Sequence, residues 1–161
     1  MSKTVLLAVD AQHYAPEATE FARELAQDAS GQVVVLHVHE FATGRFGRMQ
    51  VDCLEGAAEQ LLPEIISELR AAGVTADSEI RETHVGHVAR AILEAADQHD
   101  AWVIVIGAAG HTDLPHIPLG GVSHRLLHLS RRPVLIVPRH APAAAAAPGA
   151  AAAETARPVA G

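Results

Sequence analysis

Residues 103–138 read VIVIGAAGHTDLPHIPLGGVSHRLLHLSRRPVLIVP. The stretch starts and ends with short apolar runs that are typical of buried strands. Its four glycines lie between them, at Gly107, Gly110, Gly120 and Gly121. Glycine lets backbone N–H groups approach an anion because no Cβ stands in the way, and the N-terminus of a helix adds unpaired N–H groups and a positive partial charge. The stretch therefore predicts a strand, a phosphate-binding loop, a helix that opens near Gly121 and a second strand.

The distribution of charge favours the same interpretation. The chain has 12 Lys and Arg against 19 Asp and Glu, a formal net charge of −7. Residues 114–140 nevertheless have no acid and four arginines, namely Arg125, Arg131, Arg132 and Arg139. The alternative is that the glycines only punctuate loops and that Arg131 and Arg132 cap a helix C-terminus. The acidic total and an aromatic content of 3% argue against sequence-independent binding to nucleic acid.

Length and composition predict one domain with a tail. We expect residues 1–140 to form a single α/β domain and residues 141–161, almost all Ala, Pro and Gly, to be disordered. The lone cysteine, Cys53, excludes an intramolecular disulfide. With no signal-peptide pattern and no apolar stretch long enough to span a membrane, we expect a cytoplasmic protein.

Strand and helix patterns alternate along the chain. Strands are predicted at 5–9, 33–38, 75–83, 103–106 and 134–137, and helical apolar stripes separate them. Pro63 falls inside the second stripe, where we expect it to kink or divide the helix. This alternation predicts an open five-stranded parallel sheet with helices on both faces.

Ligands of such sheets bind at the carboxyl ends of the strands, where the strand order reverses. If the first and fourth strands are neighbours, Asp10 and Gly107 both lie at that crevice. A carboxylate at Asp10 can accept hydrogen bonds from an adenine amino group or a ribose hydroxyl, or can cap the following helix. The segment from Phe41 to Gln50 would lie beyond the same edge, either as a lid or as a solvated connection.

Several motifs together resemble the universal stress protein family over about residues 3–138. They are Leu7 to Asp10, the spacing Gly107-x2-Gly110-x9-Gly120, the pair Val122-Ser123, the run Arg132 to Val137, and Gly86. The resemblance implies a Rossmann-like, adenine nucleotide alpha hydrolase-like sheet with strand order 3-2-1-4-5 in the numbering of the predicted strands. It also implies a homodimer formed through the edge strand Pro133 to Pro138.

The resemblance implies an adenine nucleotide as ligand, either ATP or AMP or a related molecule, with Mg²⁺ as a candidate accompanying ion. Its phosphates and ribose would contact the backbone and hydroxyls at Gly107, Gly110, Gly120, Gly121, Val122 and Ser123. Asp10 would contact the base or the ribose, and Val38 would line the adenine pocket. One departure is Gly121, which stands where the family has a hydroxyl residue. Losing that hydroxyl predicts weaker binding.

The chain has eleven histidines. His111 and His116 lie within the glycine loop and His124 opens the following helix, so all three are candidate anion donors. The pairs His37 with His39 and His124 with His128 have spacings that could chelate a metal. Neither pair has an obvious third ligand nearby in the sequence, so we predict no metal site.

The resulting prediction is an ATP-binding regulatory stress-response protein that acts with an unidentified protein partner. We expect no enzyme activity beyond slow incidental hydrolysis, because no Walker lysine and no nucleophile elbow are present. Asp113 is a candidate ligand for Mg²⁺. Two alternatives remain: a dimeric interaction module of the same fold without nucleotide, and an adenylyl-transferring or hydrolytic enzyme.

Overall fold

Strands and helices alternate in the computed structural model, which describes residues 3–51, 56–108 and 120–138. The elements are β1 (Thr4–Val9), α1 (Pro16–Asp28), β2 (Gln32–Gly44), β3 (Gly47–Gln50), α2 (Ala57–Ala71), β4 (Thr75–His84), α3 (Val88–Gln98), β5 (Ala101–Gly107), α4 (Gly121–Leu129) and β6 (Val134–Val137). No helix within these residues has the length and apolar character needed to span a membrane. The predicted tail and Cys53 lie outside the described residues.

Five parallel strands form the sheet in the order β4-β2-β1-β5-β6. This is the order 3-2-1-4-5 of the predicted strands, and the predicted fold class is confirmed. On one edge of β1, Val9 is opposite His37 of β2, and on the other edge Ala8 is opposite Ile106 of β5. From β1 the chain continues to β2 and β4 on one side of the sheet, and it then returns to β5 and continues to β6 on the other side. The strand order therefore reverses between β1 and β5.

A sixth strand, β3, was not predicted. Strand β2 continues past Val38 to Gly44 and pairs antiparallel with β3. Phe41 is opposite Gln50 of β3 and also opposite His84 of β4, so β3 and β4 lie on opposite edges of β2. Because β4 and β1 also flank β2 on opposite edges, β3 continues the β1 side beyond the end of β1. The segment from Phe41 to Gln50 is therefore a hairpin above the carboxyl edge of the sheet.

The two faces of β1 explain where the helices pack. Val5 and Leu7 belong to a core that includes buried side chains of α1 and α2, whereas Leu6 and Ala8 belong to a second core with α3 and α4. Neighbouring residues of a strand point to opposite faces. All four side chains are buried, because each face is covered by a core. Helices therefore cover both faces, as the continuous apolar strands predicted.

Each of the first three helices ends at a residue with a left-handed backbone. These residues are Ser30 (φ 49°), Gly73 (φ 81°) and Asp100 (φ 46°). After α2, the Gly73 N–H donates to the Arg70 carbonyl and the Val74 N–H donates to the Leu69 carbonyl, both at 3.0 Å. This pair of bonds closes the helix and turns the chain directly into β4.

Pro63 does not divide α2, so that part of the prediction is wrong. The helix runs without interruption from Ala57 to Ala71 with Pro63 inside it and exposed. Proline removes one intrahelical hydrogen bond. Leu62, Ile65 and Leu69 are buried on the opposite side of the helix, and their packing outweighs that loss.

Glu79 links β4 to the end of α3. One carboxylate oxygen accepts a hydrogen bond from His99 Nε2 at 2.6 Å, and the other accepts one from the Arg81 guanidinium. Partial burial by itself would raise the pKa of the Glu79 carboxyl. The bonds from His99 and Arg81 outweigh burial, and the pKa of the carboxyl is lowered.

Replacing Glu79 with Gln should therefore destabilise the fold in a pH-dependent way. A carboxyl with a lowered pKa stabilises the folded state above its ordinary pKa and loses this effect as the pH falls through the lowered value. We expect Glu79→Gln to cost about 1 kcal/mol at pH 7 and much less below about pH 4. Urea unfolding at both pH values measures the difference. Glu82→Gln, whose carboxylate forms an exposed pair with Arg48, is the matched control and should change little at either pH. Equal costs at both pH values for Glu79→Gln would contradict the assignment.

Candidate functional site

The carboxyl edge of the sheet brings together two of the predicted site residues. Asp10 follows β1, and Gly107 ends β5, the parallel neighbour of β1. Since Ala8 is opposite Ile106, Asp10 and Gly107 emerge at the same edge. The crevice at the strand-order reversal therefore has an acidic group and a residue without a side chain on its two sides.

Gly107 has a steric reason to be glycine. A Cβ at this position would lie 2.7 Å from the Cβ of Ala15, the residue that precedes α1. Real Cβ atoms do not approach so closely, so a side chain here would push α1 away from β5. The glycine is needed for the packing of α1, whether or not its N–H also contacts a ligand.

The carboxylate of Asp10 organises the loop that follows β1. It is exposed, and its Oδ1 accepts a hydrogen bond from the Gln12 N–H at 2.9 Å while Oδ2 lies 3.0 Å from His13 Nδ1. The alternative that Asp10 caps the next helix does not hold, because the N-cap of α1 is Ala15 and no side chain caps it. Asp10 holds its own turn, and its pairing with His13 was not predicted.

An open cleft lies beside Asp10, between the ends of β1 and β2 and the first turn of α2. Its lining residues are Asp10, Ala11, Gln12, His37, His39, Ala57 and Ala58. The lining combines a carboxylate, two imidazoles and an amide side chain with small apolar groups.

His37 and His39 face this cleft from β2, and both are buried. His37 Nδ1 lies 2.9 Å from the carbonyl oxygen of Val9. A carbonyl only accepts, so Nδ1 donates this hydrogen bond. The two rings meet edge to face with their centroids 4.7 Å apart. The two rings support each other and the end of β1.

His39 connects the hairpin to α2, through two residues that sequence reasoning missed. Its Nδ1 accepts from the Gln50 side-chain amide at 3.3 Å, and its Nε2 faces Glu59 Oε1 at 3.4 Å. The N–H of Glu59 itself lowers the pKa of the exposed Glu59 carboxyl, burial opposes this effect, and the contact with His39 adds to the lowering, so that the pKa is lowered overall. Gln50 and Glu59 lie 11 and 20 residues after His39, and no local motif marks either contact.

Val38 is buried in the core on the α3 and α4 side of the sheet, with Ile106 and Leu126. Its side chain therefore points away from the cleft that His37 and His39 line. Strand β1 ends opposite His37, so it does not run beside Val38. A contact between Val38 and a ligand at this edge would have to use the backbone.

The N-terminus of α4 also lies at the carboxyl edge. β5 ends at this edge and β6 starts at the opposite edge, so the helix between them runs back from one to the other. Gly120 is the N-cap and provides no side-chain cap, and a Cβ at Gly121 would meet nothing within 4 Å. Val122 is half-buried and Ser123 is buried. The predicted loop residues Gly110, His111, Asp113 and His116 lie outside the described residues.

Arg132 does not belong to an anion site at this edge, contrary to the interpretation of the arginine cluster. Its guanidinium lies 3.0 Å from Asp97 Oδ1 and 3.4 Å from Asp100 Oδ1, and it also donates to the Ala101 carbonyl. Ala101 begins β5, so these contacts lie at the opposite, amino edge.

Arg125, in contrast, remains at the carboxyl edge. It donates from α4 to the carbonyl of Gly86, in the turn before α3. In residues 3–51, 56–108 and 120–138, no group of three or more His, Cys, Asp and Glu side chains could hold a metal ion.

Comparisons with known proteins agree on one family. The sequence profile of the universal stress protein family matches residues 1–138. The universal stress protein YxiE of Bacillus subtilis is 30% identical, and the match covers 85% of this chain and 99% of YxiE. A universal stress protein from Archaeoglobus fulgidus, solved in complex with dAMP, is 24% identical with a TM-score of 0.60 and coverages of 84% and 97%. A universal stress protein solved in complex with cAMP is also 24% identical, with a TM-score of 0.59 and coverages of 84% and 96%.

Gly107→Ala should destabilise the protein through the contact with Ala15. We expect a cost of about 1–3 kcal/mol, because the added methyl overpacks the junction between β5 and α1. Ala15→Gly removes the opposing methyl, and glycine is tolerated at an N-cap. The double variant should therefore recover most of the loss in a double-mutant cycle measured by urea unfolding. Unchanged stability in the single variant, or costs that simply add, would show that the two positions do not constrain each other.

Proposed function

Since this chain belongs to the universal stress protein family, we propose that it binds an adenine nucleotide, ATP in the first instance, and acts as a regulatory stress-response protein. The observation that carries the proposal is the meeting of three features at one edge of the sheet. They are the carboxylate of Asp10, the backbone of Gly107, which has no side chain to obstruct a ligand, and the N-terminus of α4, whose N-cap Gly120 has no capping side chain. These features supply an acceptor for base or ribose and donors for phosphate.

The cleft beside Asp10 would hold the adenosine. The Gln12 N–H and His13 already bond to the Asp10 carboxylate and fix its orientation. Each carboxylate oxygen has more than one lone pair, so Asp10 can also accept from a ribose hydroxyl or the adenine amino group. His37 and His39 offer ring edges and faces on which a flat base can pack.

The N-terminus of α4 would hold the phosphates. The N-cap, Gly120, has no side chain to cap this helix, so the backbone N–H groups of its first turn can bond to an anion. Ser123 would add a hydroxyl, and Gly110 with His111 would complete the loop. Mg²⁺ would accompany the phosphates of ATP, with Asp113 as the candidate ligand.

The solved relatives support a nucleotide as the class of ligand, because two of them are complexes with dAMP and with cAMP. We propose that bound ATP orders the loop between Gly110 and Gly120 and so changes the surface that a protein partner contacts. Hydrolysis would be slow and incidental, since fast phosphoryl transfer needs a cationic clamp and a positioned nucleophile beyond these residues.

A second candidate function is a dimeric interaction module without a nucleotide. Two observations favour it. Gly121 lacks the hydroxyl of the family pattern, and β6 is an edge strand whose Val134, Leu135 and Ile136 are only half-buried. An apolar edge strand with only one neighbour invites pairing with another chain.

Titration calorimetry with ATP and Mg²⁺ tests the first proposal. The wild-type protein should bind, and Gly110→Val should not, because its side chain would block the loop. Gly121→Ser should bind at least about tenfold more tightly, since one hydrogen bond to a charged group contributes about 1.5–3 kcal/mol. Gly121→Ala is the matched control and should bind like the wild type, because its Cβ enters open space.

The outcomes separate the two candidates. A wild-type protein that binds no nucleotide while remaining dimeric would contradict the first proposal and support the interaction module. Equal gains in Gly121→Ser and Gly121→Ala would show that helix stability, and not a phosphate contact, raises the affinity.

Leu135→Lys should convert the dimer to monomers. Leu135 packs partly against the core of its own chain, and the substitution puts a charge on the edge strand along which a second copy would pair. Sedimentation velocity measures the oligomeric state, and circular dichroism confirms that the variant is folded. Met49→Lys, on the exposed hairpin strand β3, is the matched control and should leave the dimer intact. A folded Leu135→Lys variant that still sediments as a dimer would exclude this strand as the interface.

A further inference from the structure

Two histidines on α4 hold their ring nitrogens at a specific distance. His124 and His128 are exposed, and their Nε2 atoms are 3.3 Å apart. Their ring centroids are 4.5 Å apart and the rings are tilted by 59°. Residues four apart on a helix share one face, so both rings extend from the same side of α4. The proposed nucleotide function uses neither Nε2 atom.

The distance has two chemical interpretations. In the first, one neutral ring donates a hydrogen bond to the other. In the second, the two nitrogens are placed to bind one cation. Zn²⁺ binds histidine at about 2.0–2.1 Å in tetrahedral geometry, which sets two nitrogen ligands about 3.3–3.4 Å apart. Ligands at right angles, as around square-planar or octahedral ions, would be closer, at about 2.8–3.0 Å. The observed separation of 3.3 Å matches the tetrahedral value and also suits a hydrogen bond between the rings, so binding of the metal has to be measured.

Contrary to the prediction of no metal site from the sequence, we propose that His124 and His128 form a two-histidine binding site for Zn²⁺, with no third protein ligand among the described residues. The exposed position leaves the two remaining tetrahedral positions open to water or to another ligand. Arg125 lies between the two histidines in sequence, but its guanidinium is directed to the Gly86 carbonyl. Its positive charge is therefore held on the side of α4 that faces α3.

Zinc at this site would stabilise α4. The helix has nine residues and no side-chain cap at Gly120, and helices this short have little stability of their own. His124 lies near the start of the helix and His128 in its last turn, so a cation bound to both closes a link across its length. The inference does not depend on nucleotide binding, because both ligands and the expected stabilisation belong to the nucleotide-free protein.

The test is a calorimetric titration of the nucleotide-free full chain with Zn²⁺, followed by thermal unfolding with and without the metal. The wild type should bind one equivalent, and its melting temperature should rise with Zn²⁺ concentration. A variant with His128→Leu and Leu129→His keeps the composition but moves the second imidazole off the shared face. It should lose at least about tenfold in affinity. Both exchanged positions are exposed, so the fold should tolerate the exchange.

Two further variants make the result decisive. His124→Gln removes the other ligand and should lose the same equivalent of Zn²⁺. His84→Gln removes an exposed histidine on β4 and should bind Zn²⁺ like the wild type. The proposal is overturned if the wild type binds no Zn²⁺, which leaves only the hydrogen bond between the rings. It is also overturned if the exchange and His124→Gln variants keep the wild-type affinity, because the metal would then bind elsewhere.

Discussion

Strand β1 has a neighbour on each edge and a buried core on each face, and the rest of the structure follows from that position. Its side chains point alternately into the core that includes α1 and α2 and into the core that includes α3 and α4, so each face of the central strand is covered. Both edges are occupied in parallel, which requires the chain to cross the sheet by helices. The strand order reverses between β1 and β5, and the loop after β1, which contains Asp10, lies at this reversal.

The fold could be predicted from the sequence because buried parallel strands are nearly continuous apolar runs. Hairpin strand β3 gave no such signal, since all four of its residues are exposed and only backbone pairing with β2 makes it a strand. The turns at Ser30 and Asp100 were also hidden, because neither position has the glycine that usually marks a left-handed turn. Pro63 misled the prediction of α2, since local propensity gave way to burial of the opposite face.

The site was predictable where it depends on strand ends, and not where it depends on contacts between distant residues. The topology alone places Asp10 beside Gly107. The pairing of His39 with Gln50 and Glu59 requires the hairpin and α2 to meet, and the link between Arg132 and Asp97 spans 35 residues. Likewise, the spacing of His124 and His128 shows that they share a helix face, but the distance between their nitrogens depends on rotamers that no sequence pattern records.

The left-handed turns that end α1, α2 and α3 all lead into strands at the amino edge, and Arg132 bonds there to the end of α3 and the start of β5. The features that we propose for nucleotide binding lie at the other edge. The turns that end the first three helices and the proposed nucleotide site thus lie at opposite ends of the strands. The loops of the carboxyl edge could therefore change during evolution, and with them the molecule that is recognised. The turns and the Arg132 contacts at the amino edge would not have to change.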